Sequence, residues 1–220
     1  MKRLFVFLAL GFIIATSLTS CLKSDDENEN SGLTKAEISQ CYNAMRGDYS
    51  GKMLYYKLTD ELNVYDTDTI DVDWTVTADT MLVLKNLPAE VFAGTIADKD
   101  LRDALVEQNP VNDLKCYVAF YGLDSYVNFY LGPQMTEYPV FLNDQKTHTV
   151  SVVFWSNPYY SYTNSFGLKD LASGFVACQI ILGGIYLDDE NKNYLGSGST
   201  TTIPIIFSTD ILRATKQQSY

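Results

Sequence analysis

The sequence predicts a mainly β fold, either an antiparallel β-sandwich or a closed β-barrel, with a short N-terminal helix and one helical insertion. From residue 49 onward, short runs rich in β-branched and aromatic residues alternate with turns rich in Gly, Asn, Asp and Pro. Most gaps between these runs span only a few residues, which suits antiparallel hairpins better than helical crossovers. The composition, 46% hydrophobic and 20% charged, is that of a chain that folds.

The first 20 residues have the form of a secretory signal peptide. Two basic residues, Lys2 and Arg3, precede an apolar run over residues 4–15 that is too short to span a bilayer as a stable helix. Residues 18–21, Leu-Thr-Ser-Cys, resemble the bacterial lipobox, whose Cys is lipidated and becomes the first residue of the mature chain. We therefore expect residues 1–20 to be a lipoprotein signal peptide and Cys21 to carry palmitate-type acyl chains. The alternative is an ordinary signal peptide followed by a chance Cys.

The segment after Cys21 predicts how the protein is held. Residues 22–32 are polar and acidic without apolar periodicity, so we expect residues 21–32 to form the lipidated Cys and a flexible tether. Each buried methylene contributes about 0.8 kcal/mol, so several acyl chains anchor the protein to a membrane that it does not cross. Lys23 followed by an acidic run resembles the signal that exports Bacteroidetes lipoproteins to the outer face of the outer membrane. A solvated spacer explains the same run equally well.

A single domain is expected over residues 33–220, and it opens with a helix. Thr34 and Glu37 have the spacing of a capping box, and apolar residues including Cys41 and Met45 then repeat at helical spacing. The pattern predicts a helix over residues 35–45. Its polar face lacks a basic cluster, so the apolar face is expected to pack on a sheet rather than on a membrane.

The remaining pattern predicts strands with one helical interruption. In residues 87–108, Pro88 can open a turn, and Asp98 can cap a helix that carries Leu101 and Leu105. The strands are expected at residues 49–58, 69–77, 80–85, 115–121, 125–131, 137–142, 147–155, 174–182 and 201–208.

Two strands allow their faces to be assigned. In residues 147–155, His148 heads an inward-facing apolar row that continues through Val150, Val152 and Phe154. We interpret His148 as a structural residue at a strand end, because no acidic partner or nucleophile is recognisable beside it in the sequence. The run over residues 175–182 is apolar on both faces, which predicts a central strand buried on both sides.

Two groups of residues carry a family resemblance. They are Gly-Asp-Tyr-Ser-Gly at 47–51, and Trp-Thr-Val at 74–76 leading to Asn-Leu-Pro at 86–88 and on to Ile96, Asp98, Leu101, Ala104 and Leu105. Together they resemble a Bacteroidetes lipoprotein family of unknown function, whose members are lipid-anchored and β-rich. The resemblance implies an envelope location and a β-rich fold, and no catalytic residues. The Gly47-x-Tyr49-x-Gly51 opening is also similar to that of lipocalins, which favours a calycin-like β-barrel among the two options.

Charge and histidine content exclude several function classes. The pI near 4.4 and the net charge of −11, which becomes −13 when the signal peptide removes two cations, exclude a nucleic-acid partner. His148 is the only histidine, so sites that need two imidazoles are excluded. No phosphate-binding loop, dinucleotide fingerprint or nucleophile elbow occurs, and no cofactor is expected. Once Cys21 is lipidated, Cys41, Cys116 and Cys178 are expected to be buried free thiols.

Acidic residues offer two weak sites. Asp71 and Asp73 share a face and are the pair that a glycan-directed hydrolase would use, although most such runs solvate an edge strand. Asp189, Asn191 and Asn193 alternate as in a calcium loop, but the positions of the required Gly and Glu hold other residues. No metal site is therefore expected.

Aromatic residues are the main indication of activity. Trp155, Tyr159, Tyr160 and Tyr162 flank or occupy a loop rich in Pro, Asn and Ser, and they are the predicted ligand-binding residues. Tyr and Trp combine a flat apolar face with a polar edge, which suits a glycan or a protein partner. The alternative is that these rings cover one end of the core. The strand tyrosines, Tyr117, Tyr121, Tyr126 and Tyr130, are expected to line a sheet face through β-propensity.

These observations favour a lipid-anchored outer-membrane protein with a binding or accessory role, and they leave open whether it faces the periplasm or the cell surface. The absence of a recognisable catalytic constellation favours binding over catalysis. A hydrolase acting through a carboxylate pair and a purely structural envelope lipoprotein are the alternatives.

Overall fold

The computed structural model of the 220-residue chain describes residues 32–58, 65–155, 165–196 and 204–209. The predicted signal peptide, Cys21 and the tether up to residue 31 lie outside the described residues. Tyr159, Tyr160 and Tyr162 also lie outside them.

The described residues form three helices and ten strands. The helices are α1 (Lys35–Met45), α2 (Glu90–Ala93) and α3 (Lys99–Gln108). The strands are β1 (Gly47–Leu58), β2 (Tyr65–Val76), β3 (Met81–Pro88), β4 (Val111–Leu123), β5 (Tyr126–Pro133), β6 (Thr136–Phe141), β7 (Thr147–Trp155), β8 (Phe166–Asp170), β9 (Val176–Leu187) and β10 (Pro204–Thr209). None of the helices in this part of the chain is long and apolar enough to cross a membrane.

Eight of the strands close into an antiparallel barrel. Their order is β10-β1-β2-β3-β4-β5-β8-β9, and β9 pairs back onto β10. The predicted mainly β class is confirmed. Of the two predicted architectures, a sandwich and a barrel, the barrel is correct. β6 and β7 make a hairpin that joins the barrel through β7 and the second half of β9.

Strand β9 is shared between the barrel and the hairpin. Its first half pairs with β8 and β10, and its residues from Ile181 onward pair with β7. Gly183 lies at the change of partner, where a Cβ would approach Trp155 Cδ1 at 3.2 Å. Ala177 and Gln179 are only half-buried. The predicted burial on both sides therefore holds only near Ile180 and Ile181.

The barrel interior is a packed core. Met53, Trp74, Phe129 and Phe207 are 0% exposed, so no water-sized space adjoins these side chains. The indole ring of Trp74 meets the ring of Phe207 edge to face at 5.2 Å. An eight-stranded barrel is narrow enough for side chains to fill its interior, and large residues do so here.

Helix α1 packs on the barrel as predicted, with its capping box formed. The Thr34 backbone N–H donates to the Glu37 carboxylate at 2.7 Å. Cys41 and Met45 are fully buried. At the other end of α1, Lys169 Nζ on β8 donates to the Ala44 carbonyl oxygen at 2.6 Å.

The helical insertion contains two helices instead of the single one expected. Asp98 caps α3, since its carboxylate accepts from the Leu101 N–H at 3.1 Å. The end of α3 lies on the free edge of β6, where the Gln108 side chain both donates to and accepts from the Phe141 backbone. Asn112 Nδ2 donates to the Glu137 carbonyl oxygen, and Pro139 between these positions has no N–H. These three features cover an edge that would otherwise be open to strand addition.

Candidate functional site

Aromatic side chains cluster on the outer wall of the barrel, over β4, β5 and β8. We call the five residues Tyr117, Tyr121, Tyr126, Tyr130 and Phe166 the outer aromatic face. Tyr130 pairs across the strands with Ala119 on one side and Phe166 on the other. The Tyr121 and Tyr130 rings stack with centroids 4.3 Å apart and an angle of 29°. Tyr117 and Tyr126 remain 59% and 46% exposed.

Strand alternation places these rings outside. On β5, Val127, Phe129 and Leu131 point into the core, so Tyr126 and Tyr130 point outward. A bulge interrupts the pairing of β4 with β5 between Phe120 and Gly122. A bulge of this kind redirects a side chain, and Tyr121 sits at that position with its ring against Tyr130. The prediction that the strand tyrosines line a sheet face is confirmed.

The outer aromatic face is uncharged at pH 7. Burial, together with the neighbouring Tyr130, raises the pKa of Tyr121 to about 12, so its phenol keeps its proton. The cross-strand row from Tyr130 runs through Phe166 and Gln179 to Ile206, and it contains no Asp, Glu, Lys, Arg or His. This neutral row stands out in a chain whose net charge is −11.

Trp155 belongs to the same outer wall. Trp155 pairs with Ile181 of β9, and Phe166 pairs with Gln179. Residues 179 and 181 lie on the same face of β9, so Trp155 and Phe166 also share that face. Ser165 joins the two strands, because its hydroxyl donates to the Trp155 carbonyl oxygen at 3.0 Å and accepts from the Ile181 N–H at 3.1 Å. Trp155 is 50% exposed. Of the four predicted binding residues, it is the one within the described part of the chain.

His148 lies between two carboxylates at the far end of the β6–β7 hairpin. Its Nδ1 is 2.7 Å from Asp188 Oδ2, and its Nε2 is 3.1 Å from Asp144 Oδ1. The sequence pattern did not reveal these partners, because folding brings Asp188 from 40 positions away in the chain and Asp144 from the turn four positions before His148. Hydrogen bonds to the two carboxylates raise the pKa of His148. Both ring nitrogens face carboxylates, so neither is directed at a nucleophile. The geometry suits a structural contact, and we call the three residues Asp144, His148 and Asp188 the clasp.

The acidic pair of the hydrolase alternative lies on the outside of the barrel. Asp71 is in an ion pair with Lys52, with Nζ and Oδ1 2.6 Å apart, and its side chain is 85% exposed. Asp73 follows on the same outward side of β2. β2 pairs with β1 along its whole length but with β3 only from Asp73 onward. The expectation that this run solvates an edge strand therefore fits Asp71 and does not fit Asp73.

Of the residues in the weak calcium pattern, Asn193 uses its side chain to bond the backbone. Asn193 Oδ1 accepts from the N–H groups of Ile185 and Leu195, both at 3.1 Å. Within the described ranges, no group of three His, Cys, Asp or Glu side chains is arranged to hold a metal ion.

The three thiols are buried and free, as predicted. Cys41 lies on the buried face of α1, and Cys116 and Cys178 lie in the barrel wall facing inward. Burial raises the pKa of both barrel thiols, which keeps them in the unreactive protonated form.

Sequence reasoning missed Phe166 and the partners of His148. Phe166 opens β8, a five-residue strand that the pattern did not reveal. The alternation of Tyr with apolar residues in β4 and β5 was the signal for the other members of the outer aromatic face.

A family model identifies most of the domain. The model, described as a domain of unknown function (DUF4840), matches residues 44–187, from the end of α1 to the end of β9. No curated protein and no solved structure matches the chain. The matched segment includes every residue of the outer aromatic face, His148 and Asp144, and it ends one residue before Asp188. The chain therefore belongs to the DUF4840 family, which is defined by this domain of unknown function.

Proposed function

We propose that this protein is a non-catalytic binding domain of a bacterial cell envelope. It is anchored in the outer membrane by lipid on Cys21 and presents the barrel at the cell surface. The lipobox at residues 18–21 and the acidic run that follows support this location. The observation that carries the binding role is the set of exposed aromatic rings on the outer wall, with Tyr117 59% and Trp155 50% exposed.

Because the barrel interior is filled by side chains, we place the binding site on the outer surface. Barrels of eight strands that bind small ligands do so in an open lumen, but here Trp74 and Phe129 fill that space. Aromatic rings held on paired strands offer a large contact area that loses little conformational entropy on binding. In this proposal Trp155, Tyr159, Tyr160 and Tyr162 are ligand-binding residues, because the last three follow Trp155 closely in the sequence.

The test compares an aromatic variant with a matched control. Replacing Trp155 and Tyr159 by Ala is expected to weaken binding to the ligand found among glycans and envelope proteins by about tenfold or more. Phe141→Ala is the control, because Phe141 is also an exposed ring, 53% exposed, but lies at the end of β6. Binding is measured by calorimetry on purified protein. Equal affinity of the aromatic variant and the wild type would contradict the proposal.

A hydrolase has less support than a binding domain. Asp71 faces solvent in its ion pair with Lys52. A glycosidase needs two carboxyl groups that face each other across the scissile bond, and neighbouring positions on one strand face do not supply that arrangement.

A further inference from the structure

We infer that the outer aromatic face binds a neutral glycan chain, whose sugar rings stack on Tyr117, Tyr121 and Tyr130. This inference rests on the proposed binding function and names the class of its ligand and a second part of its site. It uses only residues of β4, β5 and β8 and does not depend on the loop that follows Trp155.

The first support is the open surface around Tyr117. Its cross-strand neighbour on β5 is Gly132, which has no side chain, and the next outward residue on β4 is Ala119. These two small neighbours leave one side of the Tyr117 ring uncovered, while Met81 on β3 and Lys115 on β4 lie on its other sides, and Tyr117 remains 59% exposed. A sugar ring binds through its flat C–H face, so it needs an aromatic ring with such an accessible surface.

The second support is the fixed orientation of the adjacent rings. Tyr121 and Tyr130 hold each other in a stack 4.3 Å apart, and Phe166 lies beside Tyr130 on β8. Because successive outward residues along a strand are about 7 Å apart, Tyr117 and Tyr121 lie about 13 Å apart on β4. That distance suits a chain of several sugars better than a single small molecule.

The third support is the pairing of apolar rings with neutral polar groups. Asn128 projects outward between Tyr126 and Tyr130, next to Gly122, where its amide can bond sugar hydroxyls. The phenol groups of the tyrosines add further donors and acceptors. Sugars present this same combination of apolar faces and hydroxyl edges.

Charge decides among the candidate ligands. The row Tyr130, Phe166, Gln179 and Ile206 has no charged side chain, and the whole chain carries −11. Beside the outer aromatic face, Lys115 next to Tyr117 on β4 is balanced by Asp170, which pairs with Tyr126. An anionic polysaccharide or membrane would therefore be repelled by the net charge of the protein and would meet a single basic side chain near Tyr117. A protein partner is bound most tightly through Trp, Tyr and Arg anchors, and this face supplies Tyr without Arg, so a protein partner is an outcome that the test has to separate from a glycan. A neutral glycan is the occupant that these features favour.

The test uses soluble neutral hexasaccharides of glucose, xylose and mannose as probes, with polygalacturonate as the anionic comparison. Affinity is measured by calorimetry for wild type, Tyr117→Ala, Tyr130→Ala and the control Phe141→Ala. We expect at least one neutral probe to bind, with a loss of about tenfold in each Tyr variant and none in the control. Tyr117→Phe should retain most of the affinity, since it keeps the stacking surface. Tyr117 is largely exposed, so its Ala variant remains informative even if Tyr130→Ala does not fold.

The outcomes separate this inference from the proposed function. Binding that survives both Tyr→Ala changes but is lost in Trp155→Ala would overturn the inference and leave the binding function standing. Two other results would overturn the assignment of a neutral glycan but leave the proposed binding function standing. They are a preference for polygalacturonate and a protein partner whose binding is lost in Tyr117→Ala. If no glycan and no envelope protein binds the wild type, both the inference and the proposed binding function are contradicted.

Discussion

At the scale of single residues, His148 shows how position determines protonation. Carboxylates accept hydrogen bonds but do not donate them, so His148 can donate to Asp144 and Asp188 together only as the imidazolium ion. The same contacts lower the pKa of Asp144. The pKa of Asp188 is also lowered, mainly by the Thr149 N–H and then by His148. The clasp joins the β6–β7 turn to the end of β9.

This clasp makes stability depend on pH. The folded pKa of His148 is raised, so its contribution is complete below its unfolded pKa of about 6.5 and is lost as the pH rises through the folded value. The carboxylates contribute above about pH 4 and lose that contribution as the pH falls through their lowered folded values. In urea unfolding, His148→Asn should therefore destabilise the protein more at pH 5.5 than at pH 8.5. An equal loss of unfolding free energy at both values would refute the imidazolium assignment.

At the scale of elements, the contact between α1 and the barrel depends on Lys169. Its ammonium donates to the Ala44 carbonyl at the end of α1 and to the Tyr49 hydroxyl at 3.1 Å, and it lies 5.2 Å from the centre of the Tyr49 ring. A cation at a helix C-terminus is favoured by the helix dipole. Burial lowers the pKa of Lys169. Because β8 contributes this contact from inside the barrel wall, helix and barrel are expected to unfold as one unit.

Removal of the Lys169 charge tests that coupling. Lys169→Met should lower the free energy of unfolding by about 1.5–3 kcal/mol, the range for a hydrogen bond to a charged group. It should also speed hydrogen exchange in the last turn of α1, whose carbonyl loses its donor. Lys115→Met, at an exposed position on β4, is the control and should have little effect. If both variants change stability equally, Lys169 does not couple α1 to the barrel.

At the scale of the whole molecule, the proposed envelope role depends on the lipid anchor at Cys21. Cys21→Ala should abolish labelling by a palmitate analogue and move the protein from the outer-membrane fraction to the soluble fraction, since no acyl chain remains to be buried. Ser24→Ala is a matched control because it changes a neighbouring residue and keeps the lipobox. Unchanged labelling and fractionation of Cys21→Ala would exclude lipidation at this residue.

The features of the molecule that could be predicted from sequence are local ones. Helix α1 and the Asp98 cap depend on side chains within a few residues of each other, and β7 has a regular alternation over residues 147–155. The prediction missed β8, because this strand is short and carries Gly167 and the inward Lys169 in place of apolar residues. Closure through β9 and β10, like the contact of His148 with Asp188, joins distant parts of the chain. No local pattern specifies such pairings.

The covered edge of β6 limits strand pairing between neighbouring molecules. Molecules held by lipid on a surface diffuse in two dimensions and meet one another far more often than they would in solution. Any unpaired strand edge would then favour sheet growth from molecule to molecule. Because Gln108 and Asn112 bond the β6 backbone and Pro139 lies between those contacts, β6 offers no open edge for pairing to neighbours in the proposed membrane-anchored arrangement.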